Sequence, residues 1–372
     1  MSESAAEQFL TLHEIAAAAR ANLAPGPWGY LAGGAETETT VRRNRLALDS
    51  IAFRPRVLRD VSAVDSTATF LGRKVRLPVM IAPVGGMESF AAGGAADAAR
   101  AAAQFGVPMM LSSVCQPGLE ATAAAADALR VFQLYVRGDD DWVDDWGRRA
   151  RAHGFSAFCF TVDSASYSRR ERDLAGRFVK PWRATAAEGA KFQAALSWDQ
   201  VRRFKERHDL PVILKGIATA EDAELAVRHG IEVVYVSNHG GRQLDHGLGS
   251  AAVLPGIVAA VGARAEVWVD GGFVRGSDVV KAIALGARCV GLGRLACLAL
   301  AAAGVPGLVR ALELLEEEIQ ICLKLLGVTS LAELTPAHLA PAPPVFEPAV
   351  LSAFPLLGEN LGGAAVPVTR KD

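Results

Sequence analysis

The stretch Ser237-Asn238-His239-Gly240-Gly241-Arg242 sets a histidine three residues from an arginine, with glycines between them. A neutral imidazole can take a proton, and a planar guanidinium holds a carboxylate through parallel N–H donors. The pair therefore suits proton abstraction from an acidic substrate. His239 alone would more often be a core histidine with satisfied hydrogen bonds; Arg242 beside it shifts the balance. Lys215 ends the apolar run Val212-Ile213-Leu214, either as a lysine snorkelling from a strand end or as a cation aimed at a cofactor. Asp163 either caps the loop that follows it or orients a histidine, as a carboxylate does for an imidazole tautomer. Asp270-Gly271-Gly272 and Gly293-Arg294 close two further apolar runs, where glycine lets backbone N–H groups approach a phosphate.

The elements that must position these groups recur along the chain. Short apolar runs at Val79–Pro83, Pro108–Val114, Val131–Val136, Ala157–Asp163, Pro211–Gly216, Val233–Asn238, Glu266–Gly271 and Cys289–Gly293 read as strands. Four of them are nearly continuous in apolar residues, as parallel strands buried on both faces are. Amphipathic stretches lie between, including Thr219–His229 and Ser277–Leu285, each opening on a Ser/Thr cap and followed by glycine. Eight such units predict an α/β fold, a (β/α)8 TIM barrel. The doubly wound alternative would want G-x-G-x-x-G after its first strand, and Pro83-Val84-Gly85-Gly86 departs from that. Catalytic groups of such a barrel stand at the C-terminal ends of the strands, where the polar residues above fall. Residues 1–70 read as an N-terminal helical cap with a loop at Pro25-Gly26-Pro27, residues 71–334 as the barrel, and residues 335–372 as a Pro-rich C-terminal tail. Within that tail Ala349–Leu361 is expected to pack on a neighbour. Lys180–Leu196, between the fourth and fifth strands, reads as an irregular lid.

The 372 residues are 51% hydrophobic and 21% charged with a net charge of -1, which suits a large globular core and removes the electrostatic reason to expect nucleic acid or an anionic membrane. Apolar stretches are broken by Gly247, Gly249 and Pro255, or by Gly304 and Pro306, so no membrane span is expected. The N-terminus carries Glu3, Glu7 and Glu14 before any basic residue, unlike a signal peptide. Cys115, Cys159, Cys289, Cys297 and Cys322 include no zinc or redox spacing, which predicts free thiols, no metal and a reducing, cytoplasmic setting.

Taken in order, these residues resemble the FMN-dependent α-hydroxy acid oxidase/dehydrogenase family, which includes glycolate and lactate oxidases, mandelate dehydrogenase and the flavin domain of flavocytochrome b2. The resemblance spans about Thr11 to Pro336. It rests most on Ser237 to Asp245, similar to the family's S-N-H-G-[GA]-R-Q-L-D, and on Phe53-Arg54-Pro55-Arg56, Leu111-Ser112-Ser113, Phe132-Gln133-Leu134-Tyr135, Thr161-Val162-Asp163, Leu214-Lys215-Gly216 and Asp270-Gly271-Gly272. The resemblance implies FMN as cofactor, His239 as base and Asp163 as its stabilising carboxylate. It implies Arg170 and Arg242 on the substrate carboxylate, Tyr135 on the substrate hydroxyl and Tyr30 on the carboxylate. Lys215 would stabilise the reduced flavin at its N1–O2 edge. Ser112, Gln133 and Thr161 would bond the flavin ring, with Ser237 also at the cofactor, and Pro83, Val84 and Gly85 would line its N5 side. Asp270, Gly272, Gly293 and Arg294 would hold the phosphate.

The chain departs from the family in several places. Val274 stands where the family usually has arginine, leaving neighbouring Arg275 as the expected replacement. Ala91-Ala92-Gly93-Gly94-Ala95 replaces H-P-x-G-E, and Ala165 and Ser168 replace a usual Pro and Gly. The lid is shorter than in glycolate oxidase. Val114 replaces a bulky tryptophan, and Tyr167 takes back part of the space it frees.

The resemblance implies oxidation of an (S)-2-hydroxy acid to the 2-oxo acid, with room for a medium or large, aromatic, mandelate-like substrate. It also implies an acceptor (O2, a quinone or another carrier) and a homotetramer or octamer. Gly85, where oxygen-reactive members tend to carry alanine, leans toward a dehydrogenase. A flavin-dependent isomerase is a lesser reading, since it would not need His239 beside two arginines. The alternative from another class is a retired or repurposed homologue that acts on a carrier- or peptide-bound substrate or serves as a structural partner.

Overall fold

The computed structural model describes residues 5–182 and 189–358. The chain opens with four helices, α1 (Ala5–Gln8), α2 (Leu12–Asn22), α3 (Pro25–Ala32) and α4 (Thr39–Asp49), and a short strand β1 (Ile51–Phe53). Pro25 and Pro27 do not make the expected loop. Pro25 is the first residue of α3, where its locked φ favours helix and its missing N–H would be unpaired in any case. The hairpin β2 (Ala68–Phe70) and β3 (Arg73–Val75) follows, crossing the expected cap–barrel boundary at residue 70.

All eight expected runs become barrel strands: β4 (Val79–Ile81), β5 (Met109–Ser112), β6 (Arg130–Leu134), β7 (Ala157–Thr161), β8 (Val212–Ile217), β9 (Val233–Val236), β10 (Glu266–Val269) and β11 (Cys289–Leu292). They close a parallel barrel in sequence order, with β11 pairing β4. The connections carry α5 (Gly94–Phe105), α6 (Leu119–Ala125), α7 (Asp140–Ala152), α8 (Glu171–Ala175), α9 (Ala190–Ala195), α10 (Trp198–Arg207), α11 (Ala220–Arg228), α12 (Ser250–Val261) and α13 (Gly276–Ala284). Helix α11 is capped by Thr219 as expected, whereas α13 starts one residue before Ser277 with Arg275 at its cap position. The long α14 (Arg294–Leu326) kinks at Ala303 and Gly304. It is the one described helix long and apolar enough to cross a membrane, and most of that apolar stretch is buried inside the molecule.

Two apolar layers result. Strand residues facing outward pack under the helices. Those facing inward, among them Met80, Met110, Cys159, Ile213, Tyr235 and Trp268, fill the barrel, and Phe70 of the hairpin stacks on Trp268 at 4.5 Å. The hairpin thereby covers the barrel at the N-terminal ends of its strands and leaves the C-terminal ends open.

Cap and tail are tied together, because β12 (Leu339–Pro341) pairs antiparallel with β1. Phe354, expected to face a neighbour, is instead buried against His13 of the chain's own α2. The last part of the expected neighbour-packing segment, 359–361, lies outside the described residues. Within Lys180–Leu196, Lys180 is 1% exposed and α9 occupies Ala190–Ala195, while 183–188 lie outside the described residues.

Helix α4 is locked to the barrel by a buried ion pair. Arg45 donates Nη1 and Nη2 to the two Asp278 oxygens at 2.8 Å each, with Asp49 beside it. Burial would pull the guanidinium down, but Asp278 holds it above its ordinary value. Removing Asp278 leaves the buried Arg45 with only the more exposed Asp49 as counter-charge. Asp278→Ala is therefore expected to cost about 3 kcal/mol, and Arg45→Met with Asp278→Leu less, read from urea-unfolding midpoints.

Candidate active site

A cavity of about 430 Å³ opens at the C-terminal ends of the strands. Its walls include Pro83, Val84 and Gly85 after β4, Val114 after β5, Tyr135 after β6, Lys215 of β8, His239 and Arg242 after β9, Asp270 and Gly272 after β10, and Gly293 and Arg294 after β11. Tyr30 of α3, Tyr167 and Arg170 close it from the cap and the β7 loop. The fold thus brings together groups separated by up to 264 positions (Tyr30 to Arg294).

His239 sits at φ 60, a left-handed conformation that is uncommon outside glycine, and its N–H is tied to Ser237 Oγ at 3.0 Å. Its Nδ1 lies 3.2 Å from Asp163 Oδ1 and its Nε2 3.0 Å from Tyr135 Oη. Burial pushes the His239 pKa down, opposed by Asp163, and the net result is below the ordinary 6.5. Burial raises the Asp163 pKa, and the facing His239, with Lys215 behind, more than reverses this, so the carboxyl stays ionised. An ionised carboxylate only accepts, so Nδ1 carries the proton and Nε2 presents its lone pair to the Tyr135 hydroxyl and to the cavity. Asp163 can lie against β8 because residue 216 is glycine: a Cβ there would meet Asp163 Cβ at 2.7 Å, and the backbone has φ 116. The register of β8 on β9 shifts at this residue.

Lys215 is placed across from Thr161 in the β7–β8 ladder. Its Nζ donates to Ser237 Oγ at 2.9 Å and lies 3.4 Å from Asp270 Oδ2, while Ser237 Oγ donates to Asp270 Oδ1 at 2.5 Å. Burial lowers the Lys215 pKa, but Asp270 and Asp163 more than offset it, and the ammonium keeps its proton. Ser237 is the junction of this chain, serving Lys215, Asp270 and the His239 backbone at once.

On the cap side, Arg242 donates Nη1 to the carbonyls of Tyr30 (2.6 Å) and Gly33 (2.8 Å), and its guanidinium lies 4.7 Å from the Tyr30 ring centre. Arg170 bonds the Arg242 carbonyl at 3.2 Å and lies 4.5 Å from the Tyr167 ring centre. Arg294 donates to the carbonyls of Leu31, Gly33 and Gly240 at 2.9–3.0 Å, leaving two of its five N–H groups. Burial and Arg170 pull Arg242 down; burial, with Arg242 and Arg170 nearby, pulls Arg294 down to about 9. Such a cluster is built for anions.

Several expected positions sit differently. The Tyr30 hydroxyl donates to the Gly85 carbonyl at 2.7 Å, so it cannot give the same proton to a carboxylate. Arg275 does not reach the cavity: at the start of α13 it pairs with Glu318 and lies 3.2 Å from His13 Nε2. Val274 lines the cavity where an arginine was looked for, and Arg45, from the other side, bonds the Gly272 carbonyl at 3.2 Å. Asn44 and Arg45 were not singled out as site residues. The spacing of Val41, Asn44, Arg45 and Leu48 as one buried helical face was the available signal. Phe90, Trp182 and Lys191 also line the cavity without having been expected.

The residues present fit a flavin mononucleotide. Gln133, 0% exposed, has no protein partner for either amide atom, and Thr161 Oγ1 and Asp163 Oδ2 are likewise buried and unpartnered. Buried polar atoms are rarely left so, and Gln133 and Thr161 stand with Ser112 at the ends of adjacent strands, although none of the three lines the cavity itself. At the far end, Gly271 (φ 106) leaves no room for a side chain, since a Cβ would meet Ser250 Oγ at 2.6 Å. The start of α14 supplies unpaired N–H groups and a positive dipole end, suited to a phosphate.

Fold and site thus define a phosphate- and anion-binding (β/α)8 barrel of the flavin-dependent oxidoreductase type. A family model described as FMN-dependent dehydrogenase matches residues 19–341. Glycolate oxidase 1 of Oryza sativa subsp. indica is 40% identical over 353 residues, covering 89% of this chain and 96% of that protein. Glycolate oxidase of Spinacia oleracea is 38% identical over 354 residues, covering 90% and 96%. Among solved structures, mandelate oxidase superposes with a TM-score of 0.85 at 39% identity, covering 91% of this chain and all of that one. The flavin-binding domain of baker's yeast flavocytochrome b2 gives 0.84 at 34% identity, covering 89% and 86%. The chain belongs to the FMN-dependent dehydrogenase family and is an FMN-dependent enzyme of the α-hydroxy acid oxidase/dehydrogenase type.

Gln133→Leu removes one donor and one acceptor that no protein group satisfies. It is expected to weaken FMN retention by about tenfold, from two hydrogen bonds at about 1 kcal/mol each less the gain of an apolar isostere, with the fold intact. Residual flavin absorbance after exhaustive dialysis measures it.

Proposed function

We propose that the protein oxidises an (S)-2-hydroxy acid with a medium or large, aromatic or otherwise apolar side chain to the 2-oxo acid. The observation that carries this reading is His239, neutral and oriented by Asp163, with Nε2 at the Tyr135 hydroxyl in a cavity walled by Arg170 and Arg242. The two guanidiniums hold the carboxylate and so place the Cα hydroxyl toward Tyr135 and His239. His239 Nε2 takes the hydroxyl proton, and Asp163 stabilises the imidazolium that results. The flavin, when bound, supplies a two-electron acceptor for the hydrogen lost from Cα. Lys215 places a fixed positive charge in the same dry site, where a cation is worth more than in water.

The side-chain pocket is apolar. Val114, Phe90, Tyr167 and Trp182 line it, and Tyr167 meets Trp182 edge-on at 5.8 Å. That composition supports an apolar substituent over the single hydrogen of glycolate. Gly85 is tightly covered, since a Cβ there would meet Val114 Cγ2 at 2.8 Å. It supports the same preference for a quinone or other carrier over O2, which oxygen uptake during turnover tests. The five cysteines are all free and four are buried, supporting a reducing, cytoplasmic setting. Leu244 and Leu248, exposed beside the His239 loop, support assembly into a homo-oligomer.

A panel of 2-hydroxy acids added anaerobically is expected to bleach the flavin, with mandelate-like acids ahead of glycolate; no bleaching by any member overturns the reading. His239→Asn is expected to slow bleaching at least about 100-fold while FMN stays bound. Only the neutral histidine accepts the proton, so kcat/KM falls as pH drops through its lowered pKa. The acid limb therefore lies below pH 6.5. Asp163→Asn removes the charge that favours the imidazolium, so it moves that limb to still lower pH while lowering the plateau, read from the pH profile.

A further inference from the structure

Lys180 belongs to none of the strand ends and does not line the cavity, yet it is 1% exposed, an expensive place for an ammonium. Its Nζ contacts Asp173 of α8, itself 4% exposed, and donates to Tyr167 Oη at 2.5 Å. The chain turns back after α8, with Phe178 N bonding the Asp173 carbonyl at 2.9 Å, which brings Lys180 over a carboxylate seven positions earlier. The same Nζ lies 5.0 Å from the ring centres of both Tyr30 and Tyr167. These two rings also carry the two arginines of the site, Arg242 on Tyr30 and Arg170 on Tyr167. Arg242, Tyr30, Lys180, Tyr167 and Arg170 thus form a series in which cations and aromatic rings alternate.

A cation–ring contact strengthens when desolvated, and of these five residues Lys180 is the one that touches both rings. Asp173 cancels the charge that Lys180 would otherwise add to a cluster already holding the guanidiniums of Arg170, Arg242 and Arg294. The lysine therefore grips the rings without adding to the repulsion. The Tyr167 hydroxyl oxygen accepts from Lys180, which fixes the ring at its outer end.

We propose that Lys180, with Asp173, is a positioning residue that sets the separation of Arg170 and Arg242 by holding the two tyrosine rings on which they rest, and so tunes the site to a carboxylate. This rests on the reading that those arginines hold the substrate carboxylate.

The test uses the holoenzyme. Lys180→Met alone leaves Asp173 buried without its cation, so Lys180→Met with Asp173→Asn is the informative variant. Binding of a 2-oxo acid and of the corresponding 2-oxo amide is read from perturbation of the flavin spectrum, and bleaching by the 2-hydroxy acid is followed separately. The expected result is full FMN content, a 2-oxo acid Kd raised about tenfold and an amide Kd shifted by less than about threefold, because the amide brings no charge to the guanidiniums. The rate of bleaching at saturating acid is expected to stay within about threefold of wild type, so the effect falls on KM rather than kcat. Unchanged acid affinity, or equal weakening of acid and amide, overturns the proposal. A wild type that binds the 2-oxo acid but is bleached by no 2-hydroxy acid overturns the oxidation reading alone, since the Kd comparison still reports on Lys180. A wild type that binds neither acid nor amide overturns both.

Discussion

Three guanidiniums, those of Arg170, Arg242 and Arg294, line one cavity at one end of an apolar barrel, the first buried and the other two half-buried. Like charges in a low dielectric repel strongly, and the rest of the site is arranged around that repulsion. Backbone carbonyls of Tyr30, Leu31, Gly33 and Gly240 take many of their N–H groups. Tyrosine rings face two of them. What these partial charges leave uncompensated is the capacity for ligand anions. Formal net charge is -1 for the whole chain, so this local excess is a product of folding rather than of composition.

Beside this cluster, two chains of polar contact divide the chemistry. Asp163 orients His239, whose Nε2 faces the Tyr135 hydroxyl. Asp270 and Ser237 keep the Lys215 ammonium charged. The chains meet at Ser237, whose oxygen also fixes the strained backbone of His239. A single hydroxyl thereby couples the base to the cation, and the two cannot be displaced independently. Low dielectric strengthens both chains and makes an unpaired member costly, yet Asp163 Oδ2, both amide atoms of Gln133 and Thr161 Oγ1 are buried without a protein partner.

The N-terminal segment is part of the site and not merely its cover. It supplies the Tyr30 ring, the Leu31 and Gly33 carbonyls, and the Arg45–Asp278 lock that holds α4 against the loop after β10. The tail secures the segment in turn through β1–β12 pairing and through Phe354 on His13.

The sequence by itself determined the barrel, because continuous apolar runs of strand length separated by capped helices have few other ways to bury themselves. It also marked His239, Arg242, Lys215 and Asp270, polar residues that interrupt an apolar pattern, and these line one cavity in the fold. Local signals were weaker where two segments compete for one role. Arg275 was the natural replacement for the arginine missing at Val274, but the pitch of α13 turns it toward Glu318 and His13. Pro25-Gly26-Pro27 has the composition of a loop, yet proline at the first helical position starts α3. Only the tertiary structure decided how Lys180 is used. In sequence it is a lysine in a polar, irregular stretch, where solvation is the ordinary outcome. Its burial depends on Asp173 and two tyrosine rings, one of them 150 positions away at Tyr30, and contacts over that distance leave no periodicity for a sequence to display.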